Sequence, residues 1–166
     1  MFISLFLNIV YGANMPVKYV AGDLFVNEHG VEGLAHGCNC LGVMGAGIAV
    51  GFKTRYPQMY AEYRRLCLAS PRKFNPGDCF LWREEGKPAV FNLGTQEGLD
   101  GATYEAVERA LENMRRVADE NGIKSIAMPR VGAGYGGLDW SKVRELVEKV
   151  FSTWHGTLYV YERFKR

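Results

Sequence analysis

Two glycine clusters, each standing between a strand pattern and a helix pattern, constrain this chain more than any other feature. The first is Cys38-Asn39-Cys40-Leu41-Gly42-Val43-Met44-Gly45-Ala46-Gly47-Ile48-Ala49. The second is Pro129-Arg130-Val131-Gly132-Ala133-Gly134-Tyr135-Gly136-Gly137-Leu138-Asp139-Trp140. Glycine lets the backbone turn with positive φ and lets a ligand approach where a Cβ would stand. A helix start beside such a turn offers free N–H groups and a partial positive charge, which together suit phosphate. Either loop alone reads equally well as a tight structural turn. Two such loops at the carboxyl ends of parallel strands converge on one crevice, and that pairing points to a diphosphate. Neither is a Walker loop, because no Gly-Lys-Ser/Thr follows. The first is a poor dinucleotide fingerprint, which belongs at the first strand with an acidic residue about twenty residues on.

The rest of the chain alternates between strand and helix signals. Strands are expected at Val17 to Val20, Gly33 to Asn39, Ser125 to Pro129 and Leu158 to Tyr161. A further pair, Cys79 to Trp82 and Ala89 to Leu93, is joined by a turn at Glu85-Gly86. Helices are expected from Ile48 to Tyr56, from Met59 to Leu68, from Tyr104 to Asn121 and after Asp139. Pro57 either stops the first of these or opens the second. Thr103 can cap the third, whose apolar face is Val107, Leu111, Met114 and Val117-Ala118. Gly122 stands just past its end, where a left-handed residue is wanted. This alternation predicts an α/β fold with a mixed, mostly parallel central sheet and helices on both faces.

At 166 residues the chain suits one domain with a real core. Lys and Arg total 20 against 18 Asp and Glu, so no net field favours nucleic acid. The cysteines Cys38, Cys40, Cys67 and Cys79 lack the second ligand pair that a zinc site needs, so no metal is expected. They read as reduced thiols of a cytoplasmic protein. Residues 1–14 are apolar but too short to span a bilayer, and they lack the basic start and cleavage pattern of a secretory signal. Met15-Pro16 then opens a strand-like run. Residues 1–14 are therefore an N-terminal arm of uncertain status, and 15–166 the domain.

With these loops the chain resembles a macro domain, a three-layer α/β/α module that binds ADP-ribose. The resemblance rests on Gly22-Asp23-Leu24-Phe25, on His36-Gly37-Cys38-Asn39-Cys40 leading into Gly45-Ala46-Gly47-Ile48-Ala49, and on Met128 to Trp140. It runs from about Val17 to Tyr161. Within the family the chain is similar to the branch of ADP-ribose-1''-phosphate phosphatases and terminal ADP-ribose–protein glycohydrolases, and DNA-ADP-ribose glycohydrolases have similar loops. The resemblance implies that Gly22, Asp23 and Leu24 hold the adenine, with Asp23 accepting from its amino group. A turn cap is the alternative role for Asp23. It implies that Cys38 and Asn39 approach the distal ribose. Met44, Gly45, Ala46, Gly47, Ile48 and Ala49 would then line the diphosphate with Val131, Gly132, Ala133, Gly134, Tyr135 and Gly136.

Catalysis divides the branch. Its glycohydrolases use a lysine after the strand that corresponds to Ala89–Leu93, where this chain has Thr95-Gln96-Glu97. The protein-linked glycohydrolase also uses an aspartate where this chain has Gly136. Lys53 and Lys87 fall at unmatched positions, so the covalent amine route has no candidate there. His36 matches the histidine of the phosphatase, and a histidine at the crevice can shuttle a proton or position water. The alternative is a buried histidine satisfied by backbone. The leading expectation is a phosphatase of ADP-ribose-1''-phosphate with His36 as acid/base and Asn39 orienting water. The alternatives are a glycohydrolase releasing ADP-ribose from protein or nucleic acid, and a module that binds ADP-ribose without turnover. ADP-ribose or a derivative is the expected partner, ADP-ribosylated macromolecules a further one; a monomer with no cofactor and no membrane contact is expected.

Overall fold

The computed structural model describes residues 15–164, so the N-terminal arm lies outside the described residues. In chain order the elements are β1 (Val17–Ala21), a 3-10 turn (Leu24–Val26), β2 (Gly33–Cys38), α1 (Ile48–Arg55) and α2 (Pro57–Leu68). They continue with β3 (Cys79–Trp82), β4 (Ala89–Gly94), α3 (Tyr104–Glu120), β5 (Ser125–Pro129), α4 (Trp140–Phe151) and β6 (Thr157–Arg163).

Local chemistry sets the boundaries. The Thr103 side chain accepts from the Ala106 N–H at 3.2 Å and starts α3; Gly122, at φ 66°, turns the chain away after it. Asp139 accepts from the Ser141 N–H at 2.9 Å and starts α4. Pro57 opens α2 while the Tyr56 N–H still donates to the Phe52 carbonyl, so one proline marks both the end of α1 and the next start.

The six strands form one sheet in the order β1-β6-β5-β2-β4-β3. Every neighbouring pair is parallel except β3 with β4. Only that pair is joined by a short connection, which permits antiparallel pairing; the other links pass through helices or long loops. Helices α3 and α4 cover one face, over Ala35, Phe91, Ile126 and Met128. Helices α1 and α2 cover the other, over Leu34, Cys38, Val90 and Ala127. Strand alternation delivers Leu34 and Ala35 to opposite cores. This is the three-layer α/β/α arrangement with a mixed, mostly parallel sheet. Among the described residues no helix is long and apolar enough to cross a membrane.

Strands β2 and β5 lie side by side and parallel. After β2 the chain leaves through the first glycine loop to α1 on one face, and after β5 through the second to α4 on the other. The carboxyl edge of the sheet opens between the two departures, which is where such sheets hold ligands.

Candidate ligand-binding crevice

Two adjoining cavities occupy this opening. One, of about 520 Å³, is walled by Gly22, Asp23, Leu24 and Phe25 opposite Val50 and Gly51 of α1. The other, of about 690 Å³, lies between the two glycine loops and reaches Thr95 and Gln96 beyond β4. Gly47, Ile48, Pro129, Tyr161 and Phe164 line both, so the two are lobes of one crevice with a shared waist.

At the smaller lobe, Asp23 is the cap of the 3-10 turn, and its Oδ1 accepts from the Phe25 N–H at 2.9 Å. A carboxylate has acceptor capacity beyond one such bond, so the turn fixes Asp23 while leaving an oxygen for a donor in the lobe. The cap and the binding role are therefore compatible. Phe25 makes the wall: its ring meets Phe52 edge-on at 4.9 Å and lies under the Arg55 guanidinium at 4.0 Å. This wall demands glycine at position 51, because a Cβ there would stand 2.6 Å from the Phe25 ring.

At the larger lobe the loops approach each other closely. Gly47 caps α1 with φ 60° and ψ −147°, a conformation for glycine. A Cβ at Gly47 would meet the Tyr135 ring at 3.0 Å, so Tyr135 of the second loop leans over the first. Tyr135 is 79% exposed and forms an outer strap rather than a core wall. Asn39 is committed to shaping the first loop. Its Oδ1 accepts from the Leu41 N–H at 3.0 Å and from the Tyr63 hydroxyl at 2.9 Å, and its Nδ2 donates to the Val43 carbonyl at 2.9 Å. Gln96 lines this lobe and donates one amide hydrogen to the Gly98 carbonyl at 2.7 Å, while its carbonyl oxygen has no hydrogen-bond partner among the described residues.

His36 is placed differently from a crevice histidine. It is fully buried on β2, stacked on Phe52 at 4.0 Å, and does not line either lobe. Asn92 Nδ2 donates to the Phe80 carbonyl at 3.1 Å, which turns Asn92 Oδ1 toward His36 Nε2 at 2.8 Å. The imidazole therefore donates at Nε2 and stays neutral. Burial pushes its pKa down to about 4, opposed by the Asn92 bond. The physical reason is strand alternation, which aims His36, like Leu34 and Cys38, at the α1 face behind the loop. Cys38 does reach the floor of the larger lobe, but burial raises its thiol pKa well above the ordinary value, so it is no thiolate.

The crevice thus gathers Gly22, Asp23 and Leu24 in one lobe. In the other it gathers Cys38, Asn39, Met44 to Ala49, Val131, Gly132, Gly134, Tyr135 and Gly136. Of the residues expected at the site, His36 and Ala133 stand outside both linings. No lysine lines it. Lys53 lies over the Tyr60 ring at 4.5 Å and Lys87 donates to the Arg55 carbonyl at 3.0 Å, both away from the crevice. At Gly136 a Cβ would meet the Gly132 carbonyl oxygen at 2.5 Å, so the loop as folded has no room for an aspartate there. Sequence reasoning missed Phe25, Gly51, Tyr161, Glu162 and Phe164. For the last three the only available signal was their place at the carboxyl end of a strand.

Residues 35–147 match the family model of the macro domain. The chain belongs to the macro domain family. It is 30% identical over 145 residues to an ADP-ribose glycohydrolase of Homo sapiens, covering 87% of this chain and 90% of that protein. It is 32% identical over 152 residues to a DNA ADP-ribosyl glycohydrolase of Thermus aquaticus, covering 88% of this chain and 41% of that one. Its structure superposes on the macrodomain of Mycobacterium tuberculosis DarG with a TM-score of 0.79 at 30% identity, covering 87% of this chain and 96% of that one. The chain spans about two fifths of the length of the DNA-directed relatives, so it corresponds to their macro domain and not to their whole length.

Proposed function

We propose that the crevice binds terminal ADP-ribose and that the chain hydrolyses the bond between its distal ribose and a macromolecule. Adenine occupies the lobe beside Asp23, the diphosphate lies between the two glycine loops, and the distal ribose reaches Gln96. The observation that carries the binding is the convergence of both loops on one edge of β2 and β5 with Asp23 at the far end. The relatives at 30% identity or more, named as glycohydrolases of ADP-ribose linkages, support the reaction class over phosphate release. A buried His36 takes away the acid/base that favoured a phosphatase.

With no lysine lining the crevice among the described residues, the attacking group in this reading is water. It forms a bond to the anomeric carbon as the bond to the macromolecule breaks, and its proton ends on the leaving group. Gln96 accepts a hydrogen bond from that water and orients it, a positioning role open to a carboxamide, which does not itself take the proton. Asn39 acts one step back by holding the loop that carries the ribose.

The test offers three substrates, an ADP-ribosylated oligonucleotide, an ADP-ribosylated peptide and ADP-ribose-1''-phosphate, followed by chromatography and phosphorus NMR. Free ADP-ribose should appear from one of the first two, and Gln96→Ala should slow it about tenfold to a hundredfold without loss of binding. Turnover of the phosphate ester alone would establish a phosphatase instead. Binding with turnover of none would leave a module that recognises ADP-ribose.

A further inference from the structure

Glu162 stands in the larger lobe next to Tyr161 of the waist, and neither the diphosphate cradle nor the proposed hydrolysis uses it. It lines the larger lobe, flanked by Tyr161 and Phe164, which line both lobes. Alternation at the end of β6 sends Tyr161 to the α1 face and Glu162 to the α4 face, beside the second glycine loop. There two donors of α4 hold the same carboxylate oxygen: Trp140 Nε1 and Arg144 Nη1 each reach Oε1 at 2.9 Å. Arg144 is in turn seated on the Tyr19 ring at 3.7 Å. The Glu162 side chain is only 26% exposed. It is a carboxylate held in place by one oxygen, with the other unengaged among the described residues.

Its position fits one part of the ligand. With adenine beside Asp23 and the diphosphate between the loops, the adenosine ribose must cross the waist. A fixed carboxylate next to a ribose accepts from its hydroxyls, whereas a phosphate at that position calls for a cation. The Arg144 charge is already spent on Glu162.

We propose that Glu162 is a specificity-determining residue that reads the adenosine ribose, accepting from its free 2′-hydroxyl and excluding ligands that carry a phosphate there. The proposal rests on the ADP-ribose reading of the crevice. It makes the site selective at the end of the ligand opposite to the scissile bond.

Calorimetry with three ligands tests it: ADP-ribose, its 2′-deoxy analogue and its 2′-phosphate, both altered on the adenosine ribose. Wild type should bind the deoxy analogue about tenfold to a hundredfold more weakly, as expected for one lost hydrogen bond to a charged acceptor. It should bind the 2′-phosphate at least about thirtyfold more weakly, because like charges meet in a confined site. These comparisons need no variant. Glu162→Gln should keep ADP-ribose binding within about tenfold and shrink the penalty on the 2′-phosphate by about tenfold or more. Equal wild-type affinity for ADP-ribose and its 2′-phosphate would overturn the proposal, and so would an unchanged penalty in the variant. Tighter binding of the 2′-phosphate would also overturn it and would make Arg130, which lines the larger lobe, or Arg163, which lines the smaller, the governing charge. Failure of the wild type to bind ADP-ribose at all would instead overturn the reading of the crevice on which this one stands.

Discussion

An imidazole sealed between an aromatic ring and a carboxamide has no solvent to exchange its proton with. His36 is in that position, against Phe52 and Asn92. Its pKa falls from 6.5 to about 4 on folding because burial penalises the cation. The unfolded chain therefore binds a proton that the folded chain refuses, and the contribution of His36 is intact above about pH 6.5 and lost as the pH falls toward 4. Wild-type stability should drop by about 3 kcal/mol over that window through this group. His36→Gln keeps a donor toward Asn92 but does not titrate, and denaturant melts at pH 7 and pH 4.5 should show a shallower loss in the variant. ADP-ribose affinity at pH 7 should stay within about twofold, since the residue itself lines neither lobe. Loss of turnover with unchanged stability would return His36 to the chemistry. The Cys38 thiol, raised well above its ordinary range by burial and set against the His36 ring, is likewise not a reacting group. The motif around His36 was legible in the sequence. Its burial was not, because the ring that seals it, Phe52, comes from the helix beyond the loop.

At the scale of elements, the glycine loops owe their shape to contacts between segments far apart in sequence. Gly136 faces Gly132 and Ala102, and its carbonyl accepts from the Ala102 N–H at 2.9 Å. Gly136→Asp, which copies the aspartate of protein-linked glycohydrolases, should lower stability by about 1–3 kcal/mol through overpacking and should add no turnover. A variant that melts with the wild type and gains activity would show that the loop has another conformation within reach. The helices were the most legible elements, since caps such as Thr103 and Asp139 act within three residues. The apolar pattern predicts a last strand from Leu158 to Tyr161, but the strand runs from Thr157 to Arg163. Arg163 pairs with Ala21 of β1, and Glu162 falls at the register shift just before it, so the strand is extended by its neighbour rather than by its own propensity.

At the scale of the molecule, the ligand is expected to act as a clamp across the sheet. Loops leaving opposite faces would close on one diphosphate, so binding should stabilise both layers together. With ADP-ribose at a hundred times its Kd the folded state gains about 2.7 kcal/mol, and Tm should rise by about 5–10 °C for a domain of this size. Scanning fluorimetry against ADP-ribose, with AMP and ribose 5-phosphate as halves of the ligand, measures this. A shift as large for either half as for the whole would contradict a single crevice with two lobes.

What the sequence determined by itself was everything carried by short range: strand and helix periodicity, the caps, the two glycine loops and the family motifs that contain them. These follow from backbone sterics and side-chain bonds within a few residues. Tertiary structure alone decided which of the motif residues line the crevice. It turned His36 inward, aimed Asn39 at its own loop, closed the space at Gly136 and brought Glu162 to the larger lobe beside Tyr161. Each of those outcomes depends on an atom supplied by another layer, whether Phe52, Tyr63, Gly132 or Trp140, and no local pattern records where such an atom will stand.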